Sequence, residues 1–453
     1  MSKRHRMPNA DVAWLHMDRR TNVMAVHVVL SFDRLVDWSR LTEICRERLL
    51  ERYPRFSQRV VESRVPWRPV AWEDDPHFDL ERHFHRLALP APGDQAALQE
   101  LVARLMATPF DHSRPLWEMY LVEGYGPGCA IVCRVHHCIA DGIGVARVLL
   151  SLTDDTPDGA VAPAPLRHRH GAEPMHGVTA PIAAAQPRWL RQRARAAKGY
   201  ARVLAKSLLT GPDADTALKG VLGVAQRAAA TRPISLADVK ATGHATGSTV
   251  NDVVLSAVAG ALSSYLGERD SAVGEIRAVV PFNLRPLNEP IPRRLGNKFG
   301  LTLLSLPLGL HDPQERLAEV HRRMAEIKAS PEASLSYRML RVAGMMPLDI
   351  ERVIIDAWTA KASAVITDVP GPPHVVYLAG TPVRGMLAWA PQSGSISMAV
   401  TIFSYDGEIT VNVAADAGLI PDPEHILERV EDELAELRRL GSRLTHHDVK
   451  GGG

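Results

Sequence analysis

The residues best placed to do chemistry are a histidine pair followed by an aspartate, in His136-His137-Cys138-Ile139-Ala140-Asp141-Gly142. The apolar run Ile131 to Val135 before them reads as a buried strand, and Val145, Val148 and Leu149 after them read as a helix packed on it. A histidine at such a strand end is held rigidly while one ring face stays open to a cleft, which suits a general base. Asp141, four residues beyond His137, would fix the ring or its loop, and Gly142 keeps the turn free of a side chain. Neither Gly-x-Ser-x-Gly, nor a phosphate loop, nor Gly-x-Gly-x-x-Gly accompanies them. The pattern therefore points to direct proton abstraction from a hydroxyl, amine or thiol without a covalent enzyme intermediate. Cys133 and Cys138 flank the pair, but at a spacing foreign to zinc sites, so no metal is expected.

The chain that must position these groups has 453 residues, a length that predicts two to three domains. With 46% hydrophobic and 23% charged residues it reads as globular and soluble. Lys and Arg number 53 against 51 Asp and Glu, which implies no overall field for nucleic acid. No run is expected to reach the roughly 18 apolar residues of a membrane span, Leu301 to Leu310 coming nearest. The basic start Met1 to Arg6 lacks the apolar stretch of a signal peptide, so a cytoplasmic protein with four reduced cysteines is expected.

In chain order, Asp11, Trp14 and Leu15 open an acidic-aromatic segment, and Met24 to Phe32 alternates as a strand. Helices are predicted over Leu41 to Arg52 and Gln95 to Met106, with short strands between and a strand entered at Pro115-Leu116-Trp117. Residues 1–155 thus form a first unit with a mixed sheet. Residues 156–215 read as a crossover: a Pro, Ala, His and Gly-rich linker, then a basic amphipathic helix from Arg188 to Leu209 carrying Trp189 and Tyr200. That helix either packs on the second unit with a solvated basic face or lies on an anionic membrane. Residues 216–453 form the second unit, with a helix opening at Ser248-Thr249-Val250-Asn251-Asp252, strands around Ile276 to Phe282 and Leu301 to Leu308, three helices over 313–360 and a strand-rich remainder. A last helix from Pro423 to Leu440 is predicted to end at Gly441. The fold class is α/β (α+β), with a site expected between two units of similar size.

His136 to Gly142 matches the HHxxxDG signature of the CoA-dependent acyltransferase superfamily, which includes chloramphenicol acetyltransferase-like enzymes and peptide-synthetase condensation domains. Pro115-Leu116-Trp117, Asn251-Asp252-Val253-Val254-Leu255, Val280 to Arg285, Gly296-Asn297 and Val369-Pro370-Gly371-Pro372 follow in the order found in bacterial wax ester synthase/diacylglycerol acyltransferases. From about Asp11 to Leu440 the chain resembles that family. The resemblance implies two chloramphenicol-acetyltransferase-like subdomains, each a mixed sheet with helices, around a tunnel. It implies His137 as the base that deprotonates a fatty alcohol or diacylglycerol for attack on acyl-CoA, itself a substrate, so that no cofactor is needed. It further implies Asn251 as an assistant at the carbonyl, His136 as structural, and Asp141 as paired with an arginine, for which Arg285 is the candidate. Arg293, Arg294 and Lys298 are candidates for the CoA phosphates. Pro115-Leu116-Trp117 reads as packing beneath the site, and Asn251-Asp252 could equally cap a helix. One departure, Ala217 to Gly220 where many members carry an Asn-containing stretch, leaves both acceptors open. Where the basic helix from Arg188 meets an anionic surface, peripheral contact with a membrane or lipid droplet is expected. A carrier-protein thioester donor, or a non-catalytic droplet-coating role, are the alternatives.

Overall fold

Alternating apolar residues after Val23 form the strand Ala25–Phe32, and it pairs antiparallel along its whole length with Gly128–His136, whose nine residues are all buried. A strand buried on both faces needs no polar alternation, which is why Cys129 to Val135 reads as nearly continuous apolar sequence. The computed structural model describes residues 4–62, 69–159, 210–286 and 289–451. The basic helix expected from Arg188 to Leu209, and with it most of the crossover, lies outside the described residues.

The first lobe is a five-stranded sheet in the order Gly385–Trp389, Ala25–Phe32, Gly128–His136, Trp117–Tyr125, Phe84–Ala88. Its last pair is parallel and the others antiparallel, so the sheet is mixed as expected. Its edge strand comes from the other end of the chain: Trp389 lies opposite His27 and Gly385 opposite Ser31. A division of the chain at residues 155 and 216 is therefore crossed here, because the second half contributes a strand to the first sheet.

The second lobe is a seven-stranded mixed sheet running Phe299–Pro307, Glu275–Asn283, Ala364–Pro370, Met398–Tyr405, Glu408–Asp416, Gln226–Ala230, with Ile234–Ser235 also on Glu408–Asp416. The helix Val250–Gly267 is long and apolar enough to cross a membrane, contrary to the expectation that no segment would be, but it is a core helix. Val254, Ala257, Val258, Ala261 and Leu262 are each at most 1% exposed, and the helix packs against the C-terminal one. That C-terminal helix, Pro423–Gly451, does not stop at Gly441. A Cβ at Gly441 would come within 3.1 Å of Thr242 Cα on Leu236–Thr246, so this glycine lets two helices approach rather than ending one. A third cluster joins the sheets, with Val29, Tyr120 and Val132 of the first lobe against Val279, Val365 and Ala399 of the second.

Between strand Phe299–Pro307 and helix Glu332–Ala343 the contact is backbone to backbone. A Cβ at Gly300 would fall 1.8 Å from the Ala333 carbonyl oxygen, and Ser336 Oγ accepts from Leu301 N at 2.7 Å. Neither partner can yield without moving a main chain. Gly300→Ala is expected to lower stability by about 2 kcal/mol, the usual cost of overpacking, seen as a lower denaturation midpoint in urea.

Candidate active site

The strand Gly128–His136 ends at the histidine pair, and helix Gly142–Leu150 starts five residues beyond His137. Asp141 caps that helix, its Oδ1 accepting from Gly144 N at 2.8 Å. Its other oxygen accepts from Lys298 N at 3.1 Å and lies 3.4 Å from Arg285 Nη1, which is the pairing expected for these two residues. Asn283 shapes the arginine's loop, donating to Arg285 O and accepting from Arg285 N, while Arg285 also donates to Gly296 O. Asp141 and Arg285 thus clamp the turn of the first lobe to residues 296–298 of the second.

That clamp delivers Asn297 to His137. Asn297 Nδ2 donates to His137 O at 2.8 Å and to Asp11 Oδ1 at 2.9 Å, so its Oδ1 must accept, and it lies 2.9 Å from His137 Nδ1. Nδ1 therefore carries the proton, leaving Nε2 as the basic nitrogen. Asp11 Oδ1 also accepts from Asn297 N at 2.8 Å. Gly296 makes room for this carboxylate, since a Cβ there would meet Asp11 Oδ2 at 2.8 Å. Trp14, one helical turn after Asp11 on Asn9–His16, stacks on the His137 ring with centroids 4.3 Å apart, and Phe299 approaches at 5.6 Å.

Burial keeps His137 neutral, pushing its pKa down to about 4 although the Asp141 carboxylate partly opposes this. Burial pushes Asp11 up to about 7, against the two Asn297 donors that favour its ionised form. His136 is fully buried and turned away: its Nδ1 accepts from Cys138 N at 3.1 Å and its Nε2 lies 3.7 Å from Asp18 Oδ2.

His137, Asp141 and Gly142 line a cavity of about 1000 Å³, counted out to solvent, between the two sheets. Val26 and Val28 of the first sheet face Val279, Val365 and Thr401 of the second across it. A Cβ on Gly142 would meet only Val369, at 3.9 Å, so what this glycine leaves open is cavity space. Asp368 is also on the wall; burial raises its carboxyl to about 7, and its Oδ1 has no hydrogen-bond partner among the described residues.

Asn251 is not among the residues lining this cavity. It follows the cap Thr249, which forms a reciprocal capping box with Asp252, and Asp252 is bonded to His321 of Pro313–Ala329. The Asn251-Asp252 pair thus marks a helix start, and the asparagine brought to the histidine is Asn297. Leu116 and Trp117 are buried beneath the site, Trp117 Nε1 donating to Phe56 O. Arg293 is bound to the carbonyl oxygens of Glu51 and Arg52. The sequence alone does not mark Asp11, Asn297 and Trp14 as site residues. Gly296-Asn297 before an apolar strand was the available signal, but nothing local links it to Asp11, 286 positions away.

Residues 7–254 match the wax ester synthase/diacylglycerol acyltransferase catalytic domain, and residues 295–438 match the C-terminal domain of the same enzymes. A probable diacylglycerol O-acyltransferase of Mycobacterium tuberculosis is 29% identical over 413 residues, covering 86% of each chain. A putative diacylglycerol O-acyltransferase from the same species is 30% identical over 407 residues, covering 85% of this chain and 88% of its own. The wax ester synthase/diacylglycerol acyltransferase from Marinobacter aquaeolei shares the fold with a TM-score of 0.69 at 24% identity, covering 97% of this chain and 100% of that one. The first condensation domain of the CDA synthetase aligns with a TM-score of 0.62 at 18% identity over 96% of each chain.

If Asn297 sets the tautomer, Asn297→Ala should lower the catalytic rate about 10²-fold or more with KM little changed, the loss expected for a base whose ring is no longer oriented. The kcat/KM of the unaltered protein should show a first rising limb near pH 4, where His137 loses its proton and becomes the neutral base. A further rise through about pH 7, as Asp11 ionises, should vanish in Asp11→Asn; a pH profile of kcat/KM for both proteins checks each limb.

Proposed function

The chain belongs to the wax ester synthase/diacylglycerol acyltransferase family, and from that premise we propose that this O-acyltransferase takes a long-chain acyl group from acyl-CoA and passes it to a fatty alcohol or diacylglycerol. The observation that carries the mechanism is the hydrogen bond from His137 Nδ1 to Asn297 Oδ1, which commits the basic Nε2 to the acceptor. Nε2 takes the hydroxyl proton as the oxygen attacks the thioester carbonyl. The tetrahedral intermediate then expels the CoA thiolate as its C–S bond breaks, and the thiolate takes the hydroxyl's proton from Nε2, which restores the neutral imidazole. The products are a wax ester or triacylglycerol and free CoA.

No acyl-enzyme is invoked. Cys138, next to the base, is fully buried and burial raises its thiol far above the range in which it would ionise. Acyl chains suit a wall built largely of Val, Leu, Phe and Trp side chains. We place the protein in the cytoplasm, where acyl-CoA is available, in peripheral contact with a membrane or droplet. A non-catalytic coating role gives no reason for a buried relay of three polar side chains behind one imidazole.

Release of free thiol from palmitoyl-CoA, with hexadecanol or dipalmitoylglycerol supplied separately, tests this reading. We expect acceptor-dependent release that falls by about 10²–10⁴-fold in His137→Ala. Release unchanged in that variant would remove His137 as base. No release with either acceptor, together with turnover of a carrier-bound thioester, would transfer the donor role to a carrier protein.

A further inference from the structure

Twelve large apolar side chains are exposed among the described residues, and eight of them fall within residues 339–354. They lie on two consecutive helices, Glu332–Ala343 and Leu348–Thr359, and on the turn between them. Val342, Met345, Met346, Ile350, Val353 and Ile354 are 37 to 69% exposed. Scattered surface apolar residues need no explanation, whereas a continuous patch on one hairpin does.

The inner face of the same hairpin is fixed to the site. Ala333 and Ser336 bond or abut the strand that begins at Phe299, and Tyr337 donates to Asn297 O at 3.3 Å. Glu351 is fully buried against His16 at 2.6 Å, and Asp356 accepts from Arg19 at 2.7 Å. His16 closes the helix that carries Asp11 and Trp14. Leu348–Thr359 also places Trp358 on the cavity wall. One helix thus exposes Val353 and Ile354 to solvent and contributes to the substrate cavity four residues later.

We propose that the outer face of this hairpin, residues 339–354, beds into an anionic lipid surface and sets the cavity against the layer that holds its lipid substrates. Arg341 and Arg352 lie on the same two helices, against Asp349 as the one acid of the stretch not bonded to a neighbour in the described residues. Apolar side chains sink into the acyl boundary while guanidinium groups meet lipid phosphates, which is the way an amphipathic helix pair holds to an interface. The hairpin's link to the cavity makes the lipid surface the favoured occupant over a second copy of the chain. The inference extends the proposed lipid acyltransfer and rests on it for the identity of the substrates, but its binding measurement does not depend on turnover.

The test is flotation of the full-length protein with vesicles of phosphatidylcholine and phosphatidylglycerol. Ile350→Ser/Val353→Ser/Ile354→Ser should reduce the partition coefficient for the vesicles by about 10³-fold, since each such side chain returned to water is worth about a decade. A milder Val353→Ser variant should show part of that loss, and unchanged far-ultraviolet dichroism and melting would establish that both are folded. Turnover of soluble palmitoyl-CoA with a short-chain alcohol should persist in the triple variant, while turnover of dipalmitoylglycerol held in the vesicles falls. Flotation unchanged in the triple variant would overturn the proposal. So would loss of flotation confined to Arg191→Glu/Arg193→Glu/Arg195→Glu, which would move the contact to the basic segment, or a dimer that the triple variant dissociates without losing vesicles. Absence of all turnover with flotation intact would count against the acyltransfer reading and leave the docking surface standing.

Discussion

The structure depends on one buried chain of hydrogen bonds, Asp11 to Asn297 to His137, in which each link fixes the next. Asp11 Oδ1 takes both donors that Asn297 can direct to it, its backbone N and its Nδ2. The amide is thereby oriented with its oxygen toward His137 Nδ1, and the imidazole tautomer follows. The three residues come from the first helix, from the turn before a second-lobe strand and from the end of a first-lobe strand. The site is therefore complete only when the lobes are assembled.

Assembly is secured at several points that flank this chain. Arg285 of the second lobe reaches Asp141 of the first, and Asp141 reaches back to Lys298 N. The strand Gly385–Trp389 adds itself to the first sheet beside Ala25–Phe32, and the cluster around Val29, Tyr120, Val279 and Val365 fills the space between the sheets. A cleft between lobes bound this way keeps its shape, because motion of one lobe would break strand pairing as well as side-chain contacts.

Local features of this arrangement were legible in the sequence, and pairings across long separations were not. The strand, turn and helix around His137 follow from apolar spacing and from Asp141 as a cap, all within about twenty residues. The Arg285 pairing was reached only through the family resemblance, since 144 positions separate it from Asp141. Asn251 and Asn297 look alike in sequence: each stands next to a turn at the start of an apolar element. Only the fold distinguishes them, leaving one in the first turn of a helix and bringing the other to the imidazole. Gly441 failed for a related reason. A glycine near a helix end reads as a terminator, but here the absent side chain admits Thr242 of another helix. The strand Gly385–Trp389 was visible as a strand, yet edge pairing with a partner some 360 residues earlier leaves no periodic trace.

Burial of the relay has opposed effects on catalysis. It excludes water and orients the ring, but lowering His137 from 6.5 to about 4 makes imidazolium formation harder by about 3 kcal/mol than in water. A general base so weakened works only if the charge it acquires is met by a counter-charge already in place. The carboxylate of Asp141 contributes to that from one side. From the other, ionised Asp11 polarises the Asn297 amide, whose oxygen holds the Nδ1 proton, so that positive charge on the ring is stabilised through a neutral intermediary. An amide link rather than a direct carboxylate keeps the resting imidazole neutral, because no full negative charge touches it. The same asparagine that weakens the coupling therefore also allows the acid's protonation to modulate the base, and it does so in an apolar cavity where a resting ion pair would repel the acyl chain that must enter.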